Sequence, residues 1–378
     1  DRGVFALNGI SNGWNDAKNG IIPSGYTGIT EYTDISGGKY KIKISSGPES
    51  GEVTISAVAQ DTAAGELRGL KAIYSRQSAQ SAIDAEGNIT TIGNTIIHWG
   101  PVKSRGNMDL IGNAANRYFP RKYARGNITP RNPPDTDGCE YWAKEELPDL
   151  PEVDLDAYKA LAKAYTPNVE NGTANPSVGS FTQGGYHEGN VRFNTNFRDW
   201  ELGTTVNGGA GAGGVPTYYI TGNVDIFPNS FIKGNLIVMG NLNLQGSGWA
   251  NTGAGYVIKV PNGAKKEYDH PNCDDNPTDH SSARTVWNAA GWTEGNAATL
   301  SDIKFHGFIY CDGDITGAAS NQSIVGVIIC DGNADKIGGT SGVYYQSDVA
   351  DNVKYLEQTF TRESWLEFAP GSFSSPNW

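Results

Sequence analysis

The chain has 378 residues, 49 of them glycine, and a formal net charge of -12. That length suffices for two or three ordinary domains, or for one elongated repeat architecture with a sizeable core. The acidity weighs against nucleic acid or anionic lipid as a partner, since both need clustered Lys and Arg to displace counterions. Few Met and many Gly, Asn, Thr and Tyr favour strands and turns over long helices, so a mainly β fold is expected.

Val4, Leu7, Ile10 and Trp14 recur at the spacing of one apolar helix face, and Asn19-Gly20 stops it. Three segments with period two follow: Tyr40, Ile42 and Ile44 against Lys39, Lys41 and Lys43, then Val53, Ile55 and Ala57, then Leu70, Ala72 and Tyr74. A helix and an antiparallel meander are therefore expected over 1–80.

Beyond that the texture changes. Gly-Asn occurs at eleven places, where composition alone gives about four, and it recurs at an offset of nineteen, 87 to 106 and 93 to 112, the offset that also separates Gly313 from Gly332. Gly307-Phe308-Ile309-Tyr310-Cys311-Asp312-Gly313-Asp314 aligns without a gap on Gly326-Val327-Ile328-Ile329-Cys330-Asp331-Gly332-Asn333. In a parallel β-solenoid equivalent residues stack about 4.8 Å apart, apolar strand residues form one core, Asn side chains form ladders, and Gly is expected to supply positive φ at each corner.

The solenoid is expected over 81–345, with inserts at about 115–216 and 247–301. The first insert holds the Pro-rich run Arg131-Asn132-Pro133-Pro134, an amphipathic helix near Asp154 to Tyr165 and a Gly-rich stretch at 207–214. Residues 346–378 are expected as a C-terminal helix, Ser347 to Thr361, and a tail. No stretch resembles a signal peptide or an apolar run of about 18 residues, so the chain as given is expected neither to span nor to anchor in a membrane. A start at Asp1 without Met reads as a processed or truncated N-terminus.

The order of helix, Gly37-Gly38-Lys39-Tyr40-Lys41-Ile42-Lys43-Ile44, Gly51-Glu52-Val53-Thr54-Ile55-Ser56 and Leu67-Arg68-Gly69-Leu70-Lys71-Ala72 resembles the segment after the transmembrane helix in PilX-type minor pilins. The resemblance covers roughly the first 80 residues. It implies a small pilin-like sheet, a solenoid ectodomain, an extracellular place on a bacterial type IV pilus, and contact with other pilins through an N-terminal helix missing from this chain. The prepilin leader, the glutamate near the mature N-terminus and the apolar helix of that family are not in the sequence given.

Candidate chemistry is sparse. Pectin-degrading solenoid enzymes use neighbouring carboxylates, one to protonate the leaving oxygen and one to activate water. Asp312 and Asp331, nineteen apart, are candidates for such a pair but read more simply as turn formers. The signatures Asn-Thr-Asp, Gly-His-Gly and Arg-Ile-Lys are missing, Phe305-His306-Gly307 being the nearest fragment, so no enzyme is expected and His306 reads as a wall residue. Asp269, Asp274, Asp275 and Asp279 form the densest ligand run, with calcium favoured over zinc. Cys311 and Cys330 should stack, as a disulfide or as two thiols, while Cys139 and Cys273 are candidates to staple the two inserts. Trp142, Trp249, Trp287 and Trp292 are candidates for a carbohydrate or surface patch, or else close the core under the inserts. Arg117, Arg121, Lys122, Arg125 and Arg131 read as a solvated basic loop; a DNA or sugar receptor role is the lesser alternative to a structural or adhesive one.

Overall fold

The computed structural model describes residues 2–9, 13–18, 20–48, 52–76, 80–93, 95–110, 120–129, 142–144, 146–164, 173–174, 184–195, 216–250, 255–269, 277–317, 321–339, 342–356, 360–371 and 373. The chain divides into two compact units, 1–78 with 357–378, and 79–356.

In the first unit, helices Arg2–Gly9 and Gly13–Lys18 lie on a five-stranded antiparallel sheet in the order Thr27–Tyr32, Gly38–Ser46, Glu52–Asp61, Leu67–Arg76, Phe360–Phe368. Period-two alternation sorts its faces. Ile42, Ile44 and Val53 pack beneath Ala6, Leu7, Trp14 and Ala17, while Lys39, Lys41 and Lys43 fall on the other side. The C-terminal segment corrects the expected helix. Among the described residues only Ser347–Ala350 is helical there, and Phe360–Phe368 pairs antiparallel with Leu67–Arg76 as the fifth strand of this sheet. Its Thr-Arg-Glu-Ser-Trp-Leu-Glu run carries branched and aromatic residues suited to a strand.

The second unit is a stack of coils, each contributing a strand to two long parallel sheets. One sheet runs Trp142–Lys144, Lys122–Ala124, Val102–Ser104, Ile83–Ala85, Ile324–Cys330, Phe305–Cys311, Ile232–Val238, Thr217–Ile220, Gly184–His187, and the other follows it step for step. The nineteen-residue offset appears directly in the pairing, with Gly307 opposite Gly326 and Cys311 opposite Cys330. Several rungs, including 122–124, 142–144 and 184–187, fall in the segment expected as insert.

The order of rungs is not the order of the sequence. The chain enters at Ile83–Ala85 in the middle, winds to one end at Trp142–Lys144, crosses to the opposite end at Gly184–His187, and winds back until Ile324–Cys330 pairs with Ile83–Ala85. At about 4.8 Å per rung the crossing spans roughly 38 Å. Its helix Leu155–Lys163, capped by the Asp154 carboxylate accepting from the Ala157 N–H at 2.9 Å, lays Tyr158 and Ala162 on the outer face of the first sheet, against Tyr186, Tyr219 and Phe308. Ile324–Cys330, apolar throughout, is buried along its whole length, with Ile324, Ile328 and Cys330 in the interior and Val327 and Ile329 in this outer cluster.

One corner of eight stacked coils is held by a side-chain ladder. Asn190, Asn223, Asn241, Asp314, Asn333, Asn88 and Asn107 each accept, through Oδ1, the backbone N–H of the next member, ending at Asn127, at 2.7 to 2.9 Å. Most of the corner glycines do not have the positive φ expected of them; among those preceding the ladder only Gly189 does, at 108°. Closeness is the reason instead. A Cβ on Gly106 would meet Asn88 Oδ1 at 2.6 Å, and one on Gly332 would meet Asp314 Oδ1 at 2.6 Å. Positive φ belongs to a different column, Gly234, Gly307 and Gly326 (138°, 146° and 132°), inside the strands.

Gly332→Ala should therefore lower unfolding free energy by about 1–3 kcal/mol, and Asn333→Ala, which removes the Oδ1 bonds from the Asn88 N–H and Nδ2 and the Nδ2 bond to the Asp314 carboxylate, by about 1–3 kcal/mol. Urea midpoints measure both; a Gly332→Ala midpoint equal to wild type would refute the close-contact explanation.

Candidate functional site

The excursion between the 242–244 and 305–311 strands is built on the hairpin Tyr256–Lys259 with Ala297–Leu300, a turn of 3-10 helix at Ala264–Glu267 and the helix Pro277–Ala290. Its apolar side chains converge with Trp99, Phe231 and Val325 from the coils. Trp249 and Trp287 are buried, so neither offers a ring face to a sugar; they close the core under the insert. Trp292 is half-buried, edge-on to His98 at 4.9 Å, to Trp99 at 5.1 Å and to Trp287 at 5.8 Å. The Trp142 side chain lies outside the described residues.

The other candidates are resolved as follows. Asp269 is held by Arg284 at 3.0 Å and Lys265 at 3.5 Å, and no group of three His, Cys, Asp or Glu suited to a metal is found among the described residues. Asp274, Asp275 and the Asp279 side chain lie outside them, as do Cys139 and Cys273. Cys311 and Cys330 are buried free thiols; contact with Cys330 and burial raise the Cys311 thiol. Parallel in-register strands hold such a pair near the strand spacing, wider than the about 3.8 Å between Cβ atoms that a disulfide needs.

Arg121, Lys122 and Arg125 are not part of a solvated loop. Arg121 grips buried Glu267 bidentately, Nη2 donating to Oε1 at 2.6 Å and Nε to Oε2 at 3.2 Å, tying a coil to the excursion. Lys122 is fully buried and donates to the Pro120 carbonyl at 2.7 Å. Arg125 donates to the Leu147 carbonyl and Asp149, while Arg105 pairs with buried Asp84 and donates to the Pro148 carbonyl, so the start of the crossing segment is strapped down by arginine. Arg117 and Arg131 lie outside the described residues.

Asp312 and Asp331 occupy equivalent corners of adjacent coils, and the join between the two halves brings a third carboxylate, Glu86, into the same column. The sequence carries a signal for it: Glu86, Arg105 and Arg125 each stand directly before a ladder Gly-Asn, as Asp331 does. All three carboxylates are exposed, Asp331 accepts from Tyr310 at 2.7 Å, and Glu86 pairs with Arg105 at 3.3 Å. Paired acid–base work needs one carboxyl desolvated, and this column desolvates none.

Buried titratable groups lie elsewhere. Lys304 donates to the carbonyls of Phe227, Gln245 and Ser247 at 2.6, 2.7 and 3.2 Å. Burial pulls it down to about 7, while three carbonyl acceptors for three ammonium protons oppose that pull. His306 is a wall residue, hydrogen-bonded to Tyr256 at 2.6 Å; burial, helped by Lys233, holds it down to about 3. His98, against Tyr268 at 2.7 Å, is likewise held to about 3 by burial.

Below their unfolded value near 6.5, both histidines would bind a proton in the unfolded chain and not in the folded one. Stability should thus fall as pH drops from 6.5 towards 3, by up to about 1.4 kcal/mol per pH unit for each histidine. Urea midpoints at pH 7 and 4 for wild type and His306→Asn measure this; an equal drop in both proteins would contradict a neutral, buried His306.

No protein-family model and no curated protein matches the chain. Among solved structures it is similar to the crystal structure of the competence-associated pilin ComZ from Thermus thermophilus, at 10% identity over 90% of this chain and 86% of that chain, with a TM-score of 0.26.

Proposed function

We propose that this chain is an extracellular structural or adhesive subunit of a bacterial type IV pilus system, a minor pilin carrying a stacked-coil unit, and that it is not an enzyme. The observation that supports this most is the layout of the first unit. Two short helices cover an antiparallel sheet in the order the pilin resemblance implies, and the whole 79–356 unit is spliced between its paired fourth and fifth strands. An insertion at that point leaves the sheet intact while adding a large presented surface. Other pilins are the proposed partners of the first unit, and a polysaccharide or abiotic surface that of the second.

A polysaccharide-acting enzyme is the second reading, favoured by the column Asp312, Asp331 and Glu86. Their exposure and the hydrogen bond from Tyr310 count against it.

In the organism that encodes it, the protein should appear in the sheared filament fraction and be labelled on filaments by antibody to the second unit. Recovery only from the cytoplasm would defeat the pilus reading. Release of reducing sugar from a polysaccharide panel, lost in Asp331→Asn, would replace it with the enzymatic one.

A further inference from the structure

The sheet face of the first unit turned away from its helices gathers Lys39, Lys41, Lys43 and Lys71, with Glu31 and Glu52 on the same face, in a chain of net charge -12. Its lysines divide into two groups. Lys39 and Lys41 each sit 4.7 Å over the Phe373 ring, and Lys39 also pairs with Glu31 at 3.3 Å. Lys43, which has an interaction partner of its own, and Lys71 line a pocket of about 460 Å³ together with Ser45, Thr54, Ser56 and Phe368.

Cross-strand register builds this pocket. Lys43 stands opposite Ser56, Ser56 opposite Lys71, and Lys71 opposite Leu366, so one row crosses four strands. Ser45 opposite Thr54 supplies hydroxyls in the adjoining row. The two lysine backbones are two strand spacings apart, about 10 Å, within which four-carbon stems bring both ammonium groups onto one anion. Lys71 is exposed and has no ion pair among the described residues. Phe368 lies across Gly69, where a Cβ would meet the ring at 2.6 Å, so the missing side chain gives the ring its seat at the pocket edge.

Two cations, a hydroxyl floor and an aromatic flank together ask for a ligand that is anionic, polyhydroxylated and apolar on one ring face. We propose that this pocket binds a uronic acid residue of an acidic polysaccharide: Lys43 and Lys71 take the carboxylate, Ser45, Thr54 and Ser56 the ring hydroxyls, and Phe368 the apolar ring face. The site lies in the first unit, and it stands whether or not the pilus assignment does.

Calorimetric titration of the full chain with tetragalacturonate tests it, with the neutral galactose tetramer and inorganic phosphate as comparators. Tetragalacturonate should bind and the neutral tetramer should not, with affinity falling as salt rises. Lys71→Ala and Lys43→Gln, each checked for an unchanged circular dichroism spectrum, should each weaken binding about tenfold, the loss of one charge-assisted contact. Phe368→Ala should weaken tetragalacturonate and leave phosphate unchanged. The proposal is overturned if tetragalacturonate does not bind, if the neutral tetramer binds equally, if phosphate binds as tightly as the uronate, or if both lysine variants bind like wild type.

Discussion

Everything in the second unit depends on a fixed spacing of about 4.8 Å between parallel strands. At that distance a corner has room for one side chain per coil, and the Asn/Asp ladder fills it. Each Oδ1 reaches the backbone N–H of the next coil, satisfying a donor at a turn where no sheet partner is in line. The preceding glycine is fixed by the same geometry, because the neighbouring carboxamide already occupies the volume of its Cβ. Gly and Asn are thus two halves of one constraint, which is why they travel as a dipeptide. Asp314 replaces Asn without breaking the ladder, since its carboxylate accepts from the Asn333 N–H at 2.7 Å and its own N–H donates to Asn241.

The same constraint lets the chain join its coils out of order. Asn333 meets Asn88 across the join as Asn88 meets Asn107 within one half, so the ladder does not register that 245 residues separate the first pair and 19 the second. Starting in the middle has a consequence for insertion. The unit begins at Ile83–Ala85 and ends just after Gly342–Tyr345, and both strands pair with Ile324–Cys330. Its two ends therefore leave from neighbouring coils, as a unit spliced between adjacent strands of another sheet requires. The cost is the long crossing segment, which is held by the Arg105 and Arg125 contacts at its start and by Tyr158 and Ala162 on the outer face of the sheet.

What the sequence made legible was whatever repeats at short range. The Cys311 and Cys330 pairing, the strands around them and the mainly β class follow from an offset and an alternation. The rung order was hidden because the join is a contact between distant segments with no repeat of its own. Corner φ values were hidden because glycine answers both to torsion and to crowding, and composition does not say which. The fifth sheet strand falls in what the sequence reads as the end of a helix and a tail, because Ser347–Ala350 does begin a helix, while the partner that makes a strand of Phe360–Phe368 lies almost 300 residues earlier. Aromatic count could not separate a displayed tryptophan from a buried one; Trp249 and Trp287 needed neighbours, not frequency, to be placed. Lys43 and Lys71 sit in separate strands with unremarkable spacing, and only their shared row through Ser56 makes them a pair.

Charge is distributed by the same logic of rows and columns. Because each coil position repeats along the stack, like charges at one position pile into a column, and Asp312, Asp331 and Glu86 do so. Arginine takes over at the next two coils, Arg105 and Arg125, so the column changes sign just past the join. Like charges one strand spacing apart repel only weakly in water, which makes an exposed acidic column tolerable. A buried column of that kind would not be. Buried charges here are accordingly neutralised or hydrogen-bonded one at a time: Glu267 by Arg121, Asp84 by Arg105, the Lys304 ammonium by three carbonyls and the Lys122 ammonium by the Pro120 carbonyl. Arg121 with Glu267 and Arg105 with the Pro148 carbonyl tie the stack to segments that the backbone ladder does not reach, so side-chain charge completes at the excursions what the Asn column does at the coils.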